Sequence, residues 1–214
     1  SIANGQWIAL LDSDDAWLPA KLEQQLKAYD DNKNIRLIHT DEIWYRKGKR
    51  VNQMKKHKKR GGNIFEYCLP LCCISPSSVL LHKDLVKDVG LFDENLPACE
   101  DYDMWLRITA KEPVLYVDEP LTVKYGGHED QLSSKYWGMD RFRIQSLEKI
   151  LTNKLLTSSQ EVAVRKEMKR KINVLIQGGI KRGNTDIVDT YSKKLKSWAD
   201  GRYSLNSSPQ EVLL

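Results

Sequence analysis

No apolar run in the 214 residues approaches the ~20 that a membrane-crossing helix needs, so no span is read from the sequence. Cysteine is scarce. Cys68, Cys72, Cys73 and Cys99 show neither Cys-x-x-Cys spacing nor the density of a disulfide-stapled scaffold. That excludes a small oxidised framework and predicts reduced, mostly buried thiols of a cytosolic chain. Zinc ligands at their usual spacing are missing, and neither a Ser-His-Asp order nor a Cys-His pair has a supporting local signature. No internal repeat is present. The expected location is cytoplasmic, with the inner face of the cytoplasmic membrane as a surface on which a basic chain could sit.

What is present is globular in balance, with 41% hydrophobic and 29% charged residues. The length suits one domain, or a smaller core with an appendage. The net charge of +5 is uneven. Residues 46–60 carry most of it, as Arg46, Lys47, Lys49, Arg50, Lys55, Lys56, Lys58, Lys59 and Arg60, and the helices after Lys149 are basic too. A surface for nucleic acid or an anionic membrane is one reading; a solvated, mobile loop is the simpler one. Nucleic acid would call for stacking aromatics among the charges, and residues 46–60 contain no Phe, Tyr or Trp.

The chain is organised around its first seventeen residues. The apolar run 7–11 reads as a buried strand that delivers Asp12, Asp14 and Asp15 onto the loop at its C-terminal end, where open α/β sheets place ligands. A helix over 19–28 follows, with Leu18, Leu22, Gln25, Leu26 and Tyr29 on one apolar face, then a strand over 35–45. This makes a β-α-β unit. Asn63 is placed to cap a short helix ending at Cys68. Residues 77–81 read as a strand, 82–89 as a helix stopped by Gly90, and 91–94 as a turn returning an anchor to the core. The clearest helix spans 100–110, with Tyr102, Trp105, Leu106 and Thr109 on one side. Two strands, 114–117 and 121–125, come next. From about Trp137 three long amphipathic helices, at 139–156, 161–178 and 186–198, have no strand partners. The expected division is therefore 1–136 for the α/β part and 137–214 for a helical extension with a frayed tail.

Three constellations could carry chemistry. Asp12, Ser13, Asp14 and Asp15 suit a hard divalent cation holding phosphate oxygens, and they serve equally as a helix-capping turn, which spacing alone favours. Glu100 and Asp101 open a helix, where a carboxylate is rigid and aimed as a general base must be, or is simply a favourable first turn. His128 on its glycine-rich loop could contact a metal or phosphate, or sit exposed. Ser75, Ser77 and Ser78 could bind a sugar hydroxyl or merely end a strand, and His39 reads as core lining.

Taken in order, these residues resemble the family 2 inverting glycosyltransferases of GT-A fold. The stretches that carry the resemblance are Asn4 through Trp17, Pro19 with Lys21 and Leu22, Val89 through Glu94, and Glu100 through Arg107. The resemblance implies a partial GT-A mixed sheet with flanking helices, lacking the first strands, as though truncated at the front. It implies that Asp12-Ser13-Asp14 is the Asp-x-Asp motif, with Asp14 the most direct ligand of Mn²⁺ or Mg²⁺ and Asp12 beside the metal-diphosphate or ribose. Asp101 would be the general base and Glu100 its helper. Asp15, His128 and Ser75 would contact substrate.

The implied donor is a nucleoside-diphosphate sugar, a UDP-sugar first, and the implied acceptor a glycan or lipid-linked hydroxyl of cell-envelope polysaccharide synthesis. Relatives often carry a Tyr-Arg pair ahead of the histidine; here Tyr125 is followed by Gly126 and Gly127. Without the front strands, donor affinity and activity of the chain alone are expected to be low. Self-association through an open sheet edge is expected as well. Two alternatives stand beside this reading: a nucleotidyltransferase using the same Asp cluster, and a non-catalytic module binding polyanions or membrane.

Overall fold

The computed structural model describes residues 3–127, 135–153 and 155–199. A mixed sheet forms one layer, in the order β1 (Trp7–Ala9), β5 (Val79–His82), β3 (Leu37–Arg46), β6 (Leu115–Gly126), β2 (Ala16–Trp17), with β4 (Lys49–Val51) paired to the far end of β3. Only β3 and β6 run parallel; the other pairings are antiparallel. The helices are α1 (Lys21–Asp30), α2 (Phe65–Cys68), α3 (Lys83–Val89), α4 (Glu100–Thr109), α5 (Asp140–Thr152), α6 (Ser158–Arg182) and α7 (Thr185–Ala199). This is a partial GT-A-like sheet flanked by helices, with a helical extension.

Several local expectations change. The expected β-α-β unit is interrupted, because β5 lies between β1 and β3 and pairs antiparallel with both. Strand β1 is shorter than residues 7–11 and only half-buried, and among the described residues it pairs with β5 alone. The two strands expected over 114–125 are one strand, β6. Pro120 has no N–H to donate, and the ladder absorbs it through register shifts at Thr40/Asp41 and Asp41/Glu42 instead of breaking.

Helix α1 turns a different face inward from the one its leucines suggest. Lys21 and Gln25 are buried, while Leu22 and Leu26 are 39% and 42% exposed. The Gln25 amide donates to the main-chain carbonyls of Ile38 and Ser78 at 3.0 and 2.9 Å, and its oxygen accepts from Lys21 Nζ at 2.9 Å. These two carbonyls, one on β3 and one on the turn before β5, thus fix the rotation of the helix.

Residues 48–62, expected to be mobile, are built into the fold. Lys47 and Gly48, at φ 49° and 73°, make the tight turn from β3 into β4. A short 3₁₀ turn, Lys55–His57, follows. Asn63 does not cap α2; Ile64 stands at that position with no side-chain cap bond.

The apolar core lies on the α4 side of the sheet. Tyr102, Met104, Trp105, Leu106 and Ile108 of α4 are each at most 1% exposed. They share one cluster with Leu37, Val79 and Leu81 of the sheet and with Leu147, Ile150, Val164 and Ile172 of α5 and α6. Phe92, on the turn after α3, meets Trp105 edge-on at 6.2 Å between ring centroids. Arg107 reaches back to the carbonyls of Val89, Gly90 and Leu91, clamping that turn to α4. Among the described residues no helix is long and apolar enough to cross a membrane.

Candidate active site

Strand β1 ends where the chain must turn, and Asp12 to Asp15 form that turn, closed by the Asp15 N–H donating to the Asp12 carbonyl at 3.1 Å. Ser77 ties the turn to the neighbouring strand. Its hydroxyl accepts from the Asp12 N–H at 3.0 Å, and its carbonyl accepts from the Trp17 indole at 2.7 Å. Ser77 therefore has a structural task, and Ser75, two residues earlier, lines the adjoining cleft.

The side chains of Asp12, Asp14 and Asp15 each offer an oxygen, all within 4.8 Å of one another. An octahedral cation holds its oxygen ligands at about 2.1 Å, so neighbouring ligands lie about 3 Å apart and opposite ones about 4 Å. The set is slightly wider than that, so the three carboxylates would close by several tenths of an ångström to share one divalent ion. Asp15 supplies a further sign. Its side chain is 1% exposed, Oδ1 accepts from the Tyr125 N–H at 3.3 Å, and the buried Oδ2 has no hydrogen-bond partner. Burial pushes the Asp15 carboxyl up, Ser77 and Lys124 pull it down, and Asp14 and Asp12 add repulsion. Lys124 Nζ faces that oxygen at 3.6 Å, and a bound cation would further relieve the crowding of the three carboxylates.

Asp101 approaches from the opposite side, in the first turn of α4. The residue before the helix, Cys99, takes a left-handed conformation (φ 64°, ψ 23°), one that a non-glycine residue adopts at a cost of about 1–3 kcal/mol. That kink starts the helix at Glu100 and turns its first carboxylates toward the cleft. Asp101 Oδ1 accepts from the Tyr102 N–H at 2.6 Å and Oδ2 accepts from the Cys72 thiol at 3.1 Å. Burial raises the Asp101 carboxyl above its ordinary value, against the pull of Cys72, Tyr102, Lys124 and Arg143. Burial also raises Glu100, Asp101 and Asp12 add to the rise, and its own N–H pulls the other way. The Cys72 thiol is pushed well up by burial and then by Asp101, so it stays protonated and donates.

Lys124 joins the two ends. It stands on β6 with Nζ 3.6 Å from Asp15 Oδ2. Burial pushes its ammonium down, but Glu42, Asp15, Asp12 and Asp101 around it outweigh that and hold it above its ordinary value. Asp101, Lys124, Ser75 and Gly127 line one cleft of about 670 Å³, whose other wall is the β3–β4 hairpin. Beneath that wall lies a buried ion pair, Lys59 to Glu42 at 3.1 Å, in which Glu42 also accepts from the Trp44 indole at 2.8 Å.

Of the expected residues, Asp101 and Ser75 line the cleft. Asp12, Asp14 and Asp15 cluster in their turn, with Ser13 exposed among them, and share Lys124 with Asp101. Glu100 is near enough to Asp12 to be repelled by it. His128 lies outside the described residues. Lys124, Cys72 and the Lys59–Glu42 pair carry no motif and were not signalled by the sequence. His39 is core lining as expected, 1% exposed with Nε2 2.8 Å from the Arg60 carbonyl oxygen. The four cysteines are free thiols.

The chain is similar to several known proteins. An uncharacterized glycosyltransferase of Methanocaldococcus jannaschii is 29% identical over 126 residues, which are 58% of this chain and 43% of that protein. One of Rickettsia conorii is 30% identical over 136 residues, 61% of this chain and 22% of that protein. The chain therefore spans less than half the length of these relatives. Among solved structures, S. aureus TarS 1-349 in complex with UDP-GlcNAc superposes with a TM-score of 0.56 at 14% identity, covering 94% of this chain and 70% of that one. A second TarS structure gives a TM-score of 0.54 at 14% identity, over 78% and 29%. The sequence pattern of the family described as "Glycosyltransferase like family 2" matches residues 1–154, and the chain belongs to that family.

Proposed function

We propose that these residues form the metal and acceptor side of an inverting transferase that moves a sugar from a nucleoside-diphosphate sugar to an acceptor hydroxyl. The observation that carries this reading is the placement of Lys124 between two carboxylate groups, the Asp12–Asp14–Asp15 turn and Asp101. A displacement at a sugar carbon needs a base on one side and a charge sink on the other, and in this reading Asp101 and the Asp turn take those parts. The likeness to a TarS structure holding UDP-GlcNAc supports a UDP-sugar as donor.

Asp101 accepts the proton of the acceptor hydroxyl as its oxygen bonds to the anomeric carbon, and the bond from that carbon to the diphosphate oxygen breaks with its electron pair. Fixed by Tyr102 and Cys72, the Asp101 carboxylate does not have to reorient. Glu100 helps to place the acceptor. Asp14 and Asp12 would hold Mn²⁺ or Mg²⁺, with Asp15 completing the acidic set, and the ion when bound would neutralise charge on the departing diphosphate. Lys124 lends a fixed positive charge to the same region. Ser75 and His128 are the remaining substrate contacts in this reading. Residues 1–136 hold the chemistry and 137–214 the helical extension, and the acceptor belongs to a glycan or lipid-linked carrier of the cell envelope.

The test is transfer from UDP-sugars with Mn²⁺, in this chain and in any longer chain that contains it. Asp14→Asn and Asp101→Asn are expected to lower turnover by about 10³-fold or more, at unchanged circular dichroism. Full activity in either folded variant would refute the assignment.

A further inference from the structure

The basic run 46–60 has no part in the chemistry above, yet it forms a wall of the same cleft. Arg46, Lys47, Lys49 and Arg50 sit on or beside the β3–β4 turn, and four more exposed cations follow between Lys55 and Arg60. The run holds no Asp or Glu. Among the described residues none of these exposed cations pairs with a carboxylate. The basic helices differ. There Lys171 meets Asp140 and Glu167, Arg165 meets Glu161, and Lys194 meets Glu148.

The run is also held in place. Lys59 turns inward to Glu42 and to the Cys73 carbonyl, at 3.1 Å each. Gln53 donates to Asp41 and to the Glu42 carbonyl at 3.1 and 2.9 Å, and His57 packs on Trp44 at 5.1 Å between centroids. Like charges on a fixed scaffold repel one another, so this arrangement is relieved by a polyanion. The apolar members of the run, Val51 and Met54, line the cleft together with Trp44 and with Tyr45, which stacks on Tyr125 at 5.6 Å. A ring or carbon skeleton fits that surface, and its anionic groups fit the cations beside it.

We infer that the acceptor served by Asp101 is an anionic glycan chain, bearing carboxylate or phosphate groups at intervals, which lies along the β3–β4 hairpin. This rests on the transferase reading for the role of Asp101, while binding itself does not. A membrane surface is the competing partner, since Val51 and Met54 stand 36% and 56% exposed beside the cations, and the vesicles in the test decide between the two.

Binding of polygalacturonate to the full chain is measured by calorimetry, against uncharged dextran of equal length and against phosphatidylcholine vesicles containing phosphatidylglycerol. Polygalacturonate is expected to bind, with affinity falling about tenfold or more between ~50 and ~200 mM salt, and dextran is not. The triple variant Lys47→Gln, Lys49→Gln, Arg50→Gln is expected to lose at least about tenfold, while Lys166→Gln with Lys169→Gln on α6 changes little. Hydrogen exchange should slow in residues 44–58 and 72–76. Equal binding by dextran, vesicles binding more tightly than polygalacturonate, or an unaffected hairpin variant would each overturn the inference. Binding is measured without donor or metal, so loss of transfer and loss of binding are read separately. A transferase that accepts only uncharged glycans would overturn the inference and leave the transferase reading standing.

Discussion

The two ends of the cleft are built in opposite ways. Asp101 rises from α4, whose side chains are buried almost all round in the common core. The Asp12–Asp15 turn lies between two short strands, β1 and β2, each with one partner among the described residues, beside a helix whose leucines face outward. At the first end geometry comes from packing, and at the second from a few polar tethers through Ser77, Trp17 and Gln25. Substitutions should therefore unfold the chain at one end and only loosen the site at the other.

The largest expected effect is on the packed end. Trp105→Ala removes a side chain 1% exposed at the centre of the cluster and should lower stability by about 3–5 kcal/mol in chemical denaturation. A loss below ~1 kcal/mol would break the contrast.

Next comes pH. His39 is held neutral, down at about 4, by burial and then by Lys59. The unfolded chain takes up that proton near pH 6.5, so between the two values it binds more protons than the folded chain. Stability is then complete above about pH 6.5 and falls by up to about 3 kcal/mol as pH drops toward 4. Denaturation curves across that window should steepen this way, and His39→Gln should flatten them.

At the tethered end, Ser77→Ala leaves the Asp12 N–H without its acceptor, for about 1–2 kcal/mol of stability at most. Mn²⁺ affinity should fall more than stability does. Equal metal affinity in the variant would show that the turn holds itself.

How much of this was legible varies with what fixes each element. Helix α4 was readable because its burial follows its own periodicity, and the Gly90 stop because φ 84° requires glycine there. The rotation of α1 was not, since the carbonyls of Ile38 and Ser78, distant in sequence, decide it and leucine spacing does not. The acidic members of the site announce themselves in short motifs. Lys124 and Cys72 do not: one arrives through the pairing of β6 with β2 and β3, the other on the loop after α2, and neither position has a local signature. The basic run looked like solvent-exposed loop because its anchoring depends on Glu42, a residue seventeen positions from Lys59.

The smallest effect is expected on α1. Leu22→Gln, at a position 39% exposed, should change stability by no more than about 0.5 kcal/mol. Light scattering should show less self-association in that variant if the open edge beside β1 and α1 is what brings copies together.

The central claim is that Asp101 delivers an acceptor oxygen to the face opposite the departing diphosphate. Proton NMR of the first product formed tests it directly, through the anomeric configuration of the transferred sugar. The account predicts a configuration inverted from that of the donor, with no product from Asp101→Asn; a retained configuration would contradict it.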